Sequence, residues 1–126
     1  MTAPWLWVAL GGALGAVSRY GVGLIAVRAW GTNLPLGTVL VNLVGSFLMG
    51  LAVPLLLAKA GTSEALRLAL AVGFLGSFTT FSTFSLDTLA LLETGRPGWA
   101  LANALGSVVL GLAFVALGVW IGRQFV

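Results

Sequence analysis

Four long stretches of apolar residues, separated by short polar turns, make up almost the whole of this chain. Each stretch supplies the ~20 residues that an α-helix needs to cross a bilayer. Of the 126 residues, 60% are hydrophobic and only 7% are charged, whereas about a quarter of the residues in an ordinary soluble domain are charged. A single small core cannot bury so much apolar surface. The sequence therefore predicts one integral membrane domain over residues 1–126.

The turns between these stretches predict an all-α bundle of four transmembrane helices. We expect the helices over residues 4–28, 36–59, 65–92 and 99–122. Tryptophan favours the membrane interface, and all five tryptophans lie near the predicted helix ends: Trp5, Trp7, Trp30, Trp99 and Trp120. Glycines spaced for close helix approach are predicted to be packing residues: Gly11, Gly15, Gly118 and Gly122.

The ionisable residues argue against two broad classes of function. The chain has no cysteine and no histidine, so it lacks thiol chemistry, structural zinc ligands and the commonest proton-transfer side chain. Its only carboxylates are Glu64, Asp87 and Glu93, all far from any base, which leaves almost no equipment for acid–base catalysis. Its six basic residues are scattered singly and form no stripe that could grip nucleic-acid phosphates. We predict a protein that is not an enzyme and binds no nucleic acid.

The basic residues also bear on membrane orientation, which follows the difference in Lys and Arg between the two sides. With four spans, one side carries Lys59, Arg67 and Arg123. The other carries Arg28 and Arg96, together with Arg19 if that side chain extends toward the nearer end of helix 1. This near tie favours insertion in both orientations, and hence an antiparallel, dual-topology homodimer. An accidental tie among few charges is the alternative.

Polar residues form one stripe on each of two helices. Thr38, Asn42 and Ser46 recur every four residues on helix 2, and Asn103 and Ser107 do so on helix 4, so each set shares a helix face. Polar groups inside a membrane are costly unless they are paired or hydrated. The stripes therefore indicate either hydrogen bonds between helices or the lining of a hydrated path.

Helix 3 holds six hydroxyl residues within the nine positions from Ser77 to Ser85. Glycine and β-branched residues both weaken a helix locally, so we predict a break at mid-membrane, near Gly76 to Thr80. Freed backbone is tolerated at that depth where protein buries it or where it lines a cavity, and unwound carbonyls there can hold Na⁺. The alternative is a kinked helix whose hydroxyls satisfy its own backbone.

Three phenylalanines, Phe78, Phe81 and Phe84, recur every three residues along the same segment. Such a stripe is usually core or lipid contact. An aromatic ring nevertheless has a positive edge, so a ring edge turned inward favours an anion without the tight binding that a full positive charge would give.

With these motifs the chain resembles the Fluc (CrcB) fluoride channels. The resemblance covers essentially the whole chain and is carried by three segments: residues 11–16 with Arg19 and Tyr20, residues 37–47, and residues 73–84. The first reads GGALGA, the second contains Gly37-Thr38, Asn42 and Gly45-Ser46-Phe47, and the third contains TTFSTF. The third segment is the most specific.

The resemblance implies a passive fluoride channel of the plasma membrane, an antiparallel homodimer with two ion paths among membrane lipids. It implies a fluoride pathway along Phe81, Phe84, Asn42, Ser82, Thr83, Ser107 and Thr38. It also implies a structural Na⁺ on the dimer axis, held by the main-chain carbonyls of Gly76 and Thr79 from each subunit. Arg19 matches the family's helix 1 arginine, either as an anion attractant at the vestibule or as an anchor. Asn103 stands where some relatives have tyrosine, which leaves the outer track open.

Two rival functions remain at this point. A small multidrug-type cation exporter has a similar number of helices and is often dual-topology, but its coupling needs an intramembrane carboxylate. Helix 1 has none, and Asp87 is the only acid within a span, beyond the phenylalanines. The second rival is a non-transporting membrane assembly subunit whose polar stripes serve only adhesion.

Overall fold

A computed structural model describes residues 3–126, and the described part of the chain contains helices and turns but no strand. The helices are α1 (Pro4–Trp30), α2 (Leu36–Leu57), α3 (64–78), α4 (Ser82–Glu93) and α5 (Pro97–Gly122). A short 3₁₀ turn, Arg123–Phe125, follows α5. Four stretches are long and apolar enough to span a membrane, the third being Glu64–Glu93, which contains α3 and α4. The prediction of an all-α chain with four membrane-spanning stretches is confirmed.

The ends of the helices follow from local sequence. α1 ends at Gly31 and α4 is followed by Gly95, and both glycines have positive φ, 75° and 74°, which glycine adopts without a steric penalty. α3 begins after Ser63, whose hydroxyl accepts a hydrogen bond from the Leu66 N–H at 3.1 Å, as an N-cap residue does. α5 starts at Pro97, a first-turn position that needs no N–H. Each helix end lies within two residues of its predicted position.

Two of the spans contain wide, π-helical turns. In α2 the turn covers Val53–Leu57, and the Ala58 N–H donates to the Val53 carbonyl, five residues back, at 2.8 Å. Pro54 accounts for it, because proline lacks an N–H and its ring crowds the carbonyl of the preceding turn. In α3 the wide turns run from Leu68 to Leu75.

Glycines bring the helices into backbone contact in two pairs. A Cβ added at Gly11 or Gly15 of α1 would overlap the α3 backbone at Ala69 or Phe74. A Cβ at Gly50 of α2 would overlap α5, and Gly122 packs against the ring of Pro54. Small residues allow such close approach in lipid, where packing rather than the hydrophobic effect joins helices.

The bundle buries little apolar volume and exposes much. Its buried apolar residues are mostly small or medium in size, such as Ala26, Val41 and Ala71. Leu and Val side chains on the outer faces are exposed, and so are Trp5, which is 84% exposed, and Phe81. Such a surface suits a bilayer or a protein neighbour and not water.

The third span is interrupted between α3 and α4. α3 ends at Phe78, Thr79 has the extended backbone angles φ −87° and ψ 159°, and α4 begins only at Ser82. The segment of residues 79–81, named here the interruption, therefore leaves main-chain groups outside the helical hydrogen-bond pattern. The functional site is built around these groups.

Candidate functional site

Asn42 of α2 forms a reciprocal pair of hydrogen bonds with the backbone of Thr80. Its Nδ2 donates to the Thr80 carbonyl at 2.9 Å, and its Oδ1 accepts from the Thr80 N–H at 2.7 Å. One side-chain amide thus satisfies both main-chain groups of a residue that has lost its helical partners. These two bonds also fix which way the amide points. They leave Asn42 with one further N–H to offer.

Arg19 of α1 holds the other side of the interruption. Its Nε donates to the Ser77 carbonyl at 3.0 Å, and the side chain is half-buried. A cation beside the last carbonyls of α3 complements the negative pole of that helix. The charge count included Arg19 only if it extends toward the end of α1, and the structure directs it to the neighbouring span instead.

Some main-chain oxygens around the interruption accept hydrogen bonds, and others have no donor. The Leu75 carbonyl accepts from the Thr79 N–H and hydroxyl, and the Phe81 carbonyl accepts from the Ser85 N–H and hydroxyl. The Ser77 and Thr80 carbonyls accept from Arg19 and Asn42. Of the hydrogen bonds that residues 3–126 form outside their regular helices, none reaches the carbonyl of Gly76 or Thr79. Gly76 and Thr79 are the two predicted Na⁺ ligands.

A cleft of about 540 Å³ lies on one side of the interruption, between α2, α4 and α5. Six of the predicted site residues line it: Asn42, Gly76, Thr79, Phe81, Phe84 and Ser107. Ser46 and Thr80 add polar groups, and Met49, Val108 and Val115 add apolar ones. The structure therefore brings one phenylalanine pair, one amide and hydroxyls to a shared surface.

A smaller cleft of about 210 Å³ adjoins the interruption at Thr80, between α1, α2 and α4. It contains the other predicted residues Arg19, Thr38 and Thr83, together with Tyr20 and Thr80. The predicted pathway residues are therefore divided between two clefts, and Thr80 is common to both. Ser82 lines neither of these two clefts; it is exposed, with its Oγ 3.4 Å from Thr80 Oγ1.

Phe81 and Phe84 meet at a ring-centroid distance of 5.8 Å with a tilt of 44° between the rings. Phe84 is half-buried, whereas Phe81 is 80% exposed. Phe78, the third member of the stripe, is buried instead and stacks on Phe74 at 5.7 Å. The stripe therefore has one core member and two at the cleft.

Sequence reasoning did not single out Ser77, Thr80 or Thr88. Thr88 donates to the Phe84 carbonyl at 2.8 Å and accepts from Asn103 Nδ2 at 2.9 Å, which links α5 to α4 beside the phenylalanine pair. Thr88 lies one turn after Phe84, and its spacing with the hydroxyls of residues 77–85 was the available signal. The roles of Ser77 and Thr80 depend on main-chain atoms, which residue type does not reveal.

Charged groups are scarce near the site. Asp87 has one buried carboxylate oxygen, Oδ2, without a hydrogen-bond partner among residues 3–126. The same part of the chain holds no cluster of three or more Asp, Glu, His or Cys side chains that could bind a metal ion. Any cation held here has to rely on neutral oxygens, and carbonyl oxygens suit a hard cation such as Na⁺.

Residues 6–119 match the family described as CrcB-like protein, Camphor Resistance (CrcB). The chain belongs to the CrcB family. A relative from Thermus thermophilus, named fluoride-specific ion channel FluC, is 51% identical over 122 residues, which cover 97% of both chains. Relatives of the same name from Magnetococcus marinus and Acidobacterium capsulatum are 52% and 46% identical over 118 and 122 residues. These cover 93% and 97% of this chain and 95% and 98% of the relatives.

CrcB membership confirms three predictions made from the sequence. The resemblance to the Fluc (CrcB) channels is correct. The relatives are named as ion channels, and the chain is not an enzyme. With its four spanning stretches it is a multi-pass membrane protein, which in bacteria lies in the plasma membrane.

Proposed function

We propose that this chain is a fluoride-selective ion channel that exports F⁻ passively across the plasma membrane. The observation that carries the proposal is its identity of about half, over nearly the full length, to relatives named fluoride-specific ion channel. The cleft lined by Asn42, Phe81, Phe84 and Ser107 supplies a surface with suitable chemistry. A membrane potential of 100 mV drives one elementary charge by about 2.3 kcal/mol, so export needs no further energy source.

The pore chemistry that we propose follows from how tightly fluoride holds its water. Several weak donors must replace that hydration together, since a fixed positive charge would trap the ion. Asn42 offers the N–H that Thr80 does not use, and Ser107 offers a hydroxyl within the same cleft. The ring edges of Phe81 and Phe84 add weak positive potential. Thr83 and Thr38 in the smaller cleft, and the exposed Ser82 beside Thr80, extend the hydroxyl track.

We further propose that two copies pair in antiparallel orientation and form two ion paths. The near tie of Lys and Arg across the membrane supports insertion in both directions. The exposed ring of Phe81 supports a protein neighbour, because a ring that contacts fluoride needs a second wall facing the cleft. A reporter-fusion map with one fixed orientation would contradict the antiparallel pair.

The third span is, in this proposal, broken at mid-bilayer, with a structural Na⁺ on the dimer axis. The unpartnered carbonyls of Gly76 and Thr79 support the cation, because backbone oxygens at membrane depth need either a protein donor or an ion. Two carbonyls from each subunit would hold it, and it would tie the two interruptions together. Ion-replacement density on the two-fold axis of a dimer crystal is the direct test.

A liposome experiment tests the function. Purified protein in F⁻-loaded vesicles should release F⁻ once a K⁺ ionophore clamps the potential, while Cl⁻-loaded vesicles should retain Cl⁻. Equal release of both anions would contradict selectivity, and release of neither would favour the assembly subunit. The Asp87→Asn variant addresses the cation exporter, because this replacement should abolish proton-coupled cation export if that rival is right.

A further inference from the structure

We propose that Asn42 is a positioning residue for the central cation site: its amide holds the interruption in the conformation that leaves the Thr79 carbonyl free to bind Na⁺. The inference rests on the proposed function, because it needs the Na⁺ site to exist. It gives Asn42 a second role that does not depend on contact with fluoride. The fluoride pathway and the cation site would then share the Asn42 side chain.

The first support is the geometry of the pair. Both main-chain groups of Thr80 are bound by a single amide, at 2.9 and 2.7 Å. Thr80 directly follows Thr79, so fixing the N–H of Thr80 fixes the peptide plane that carries the Thr79 carbonyl. That carbonyl has no hydrogen-bond partner among residues 3–126. The direction of a proposed Na⁺ ligand is thus set by the Oδ1 atom of Asn42.

The second support is that the Asn42 contact takes the place of a helical hydrogen bond. In a regular helix the Thr80 N–H would donate to the Gly76 carbonyl, four residues back. Asn42 accepts that N–H instead, so the same contact leaves the Gly76 carbonyl without its helical donor. One amide therefore accounts for the availability of both proposed carbonyl ligands. Arg19 does not substitute for it, because it binds Ser77.

The third support is the close packing of α2 on the interruption. Gly45 lies three residues after Asn42, one turn along the same helix, and a Cβ there would overlap the Thr79 methyl group. α2 thus contacts the interruption at two successive points, one polar and one apolar. Loss of the polar point releases the Thr80 backbone while the apolar contact persists, so the effect on the cation should be separable from unfolding.

The test measures Na⁺ dependence without fluoride. Thermal unfolding of the purified, detergent-solubilised dimer is followed over a Na⁺ titration, with N-methylglucamine keeping the ionic strength constant. Asn42→Leu keeps the side-chain shape but can pair neither Thr80 group, and it should raise the half-stabilising Na⁺ concentration at least tenfold. Asn42→Ser retains one hydrogen-bonding group and should give a smaller rise, at least threefold.

Asn103→Ala is the matched control, because it removes the other intramembrane amide, which binds Thr88 and not the interruption. Its half-stabilising Na⁺ concentration should equal that of the unmodified chain. An unchanged value in Asn42→Leu or, if that variant does not fold, in Asn42→Ser would overturn the inference. So would failure of both variants to fold at any Na⁺ concentration while Asn103→Ala folds, because the amide would then hold the whole bundle.

The outcomes also separate this inference from the proposed function. If the unmodified chain gains no stability from Na⁺, the proposed cation site is wrong and the inference falls with it. If Na⁺ stabilises the unmodified chain and the Asn42 variants alike, the site stands and only the positioning role is wrong. A residue that merely donates to fluoride would give this second result.

Discussion

Two spans of this protein depart from regular α-helix, and they do so in opposite ways. The Val53–Leu57 turn of α2 widens and satisfies itself, because the Ala58 N–H bonds back to the Val53 carbonyl within the same helix. The interruption in the third span satisfies itself only in part. Its Thr80 carbonyl depends on Asn42 of α2, and the Ser77 carbonyl just before it depends on Arg19 of α1.

The difference shows what makes an irregular helix useful. A self-contained wide turn accommodates a proline, and its Val53 carbonyl finds a donor within the same helix. An interruption supported from other helices separates its backbone groups into those that are bound and those that remain available. Gly76 and Thr79 belong to the available group. A ligand site at membrane depth therefore requires donors from neighbouring helices, which keep the remaining backbone from collapsing back into a helix.

The largest effect on F⁻ flux should come from Gly45→Ala, which disrupts the contact between α2 and the interruption. The new Cβ would overlap the Thr79 methyl group, and such overpacking costs about 1–3 kcal/mol. The cost falls on the conformation of the interruption that conducts, and each 1.4 kcal/mol corresponds to about a factor of ten, so we expect F⁻ flux in liposomes to fall by about five- to 140-fold. The matched control is Gly111→Ala, whose Cβ would lie at an ordinary 3.8 Å from Ser46 Oγ. Equal losses in both variants would mean that the interruption is not specially sensitive.

Phe81→Ile and Phe84→Ile should have the next largest effect on F⁻ flux. Isoleucine retains apolar bulk but has no ring edge to face an anion, and it also removes the Phe81–Phe84 ring pair, an interaction worth about 0.5–1.5 kcal/mol. We therefore expect up to about a tenfold loss of F⁻ flux in each variant, with an unchanged elution volume in size-exclusion chromatography. Phe78→Ile serves as the control for general packing, because Phe78 is buried against Phe74. Unchanged flux in both pathway variants would remove the ring edges from the mechanism.

The same comparison explains which features the sequence could predict. Four spans follow from apolar length alone, and their ends follow from the turns between them, although the fourth helix begins at Pro97 and not at the predicted residue 99. The weak helix-forming tendency of residues 76–80 was visible in Gly76 and in the β-branched Thr79 and Thr80, and these residues lie at the site. The residue types could not indicate which hydrogen-bond partner each main-chain atom would have. The division of the pathway residues between two clefts also depends on how α1 and α5 pack around the interruption.

Arg19 shows this limit most clearly. A charge count treats it as a side chain that extends to the membrane surface. Its packing between α1 and α3 instead makes the Ser77 carbonyl the nearer partner. Residue type indicated a cation in a span, and only the helix arrangement selects which unsatisfied oxygen that cation meets.

Arg19→Gln should lower the stability of the protein, because it removes a support of the interruption while the self-contained turn of α2 keeps its own hydrogen bond. The loss of a hydrogen bond from a charged donor costs about 1.5–3 kcal/mol, so the midpoint of thermal unfolding in detergent should decrease. Arg19→Lys keeps the charge but replaces the fixed Nε geometry, and it should restore only part of the loss. Arg28→Gln, near the end of α1, is the control and should change stability little. Full recovery with lysine would indicate that charge alone matters and that the specific bond to Ser77 does not.

Pro54→Ala should have the smallest effect, and it tests the other half of the comparison. Alanine restores the missing N–H, so α2 can tighten toward regular geometry, while a methyl group replaces the ring that packs on Gly122. The gain in helix hydrogen bonding and the loss of ring packing oppose each other, so we expect a stability change below about 1 kcal/mol. F⁻ flux should stay within about twofold of the unmodified chain, which corresponds to about 0.4 kcal/mol or less. A large loss of flux would show that the geometry of the wide turn of α2 affects the cleft. The two irregular segments would then be coupled.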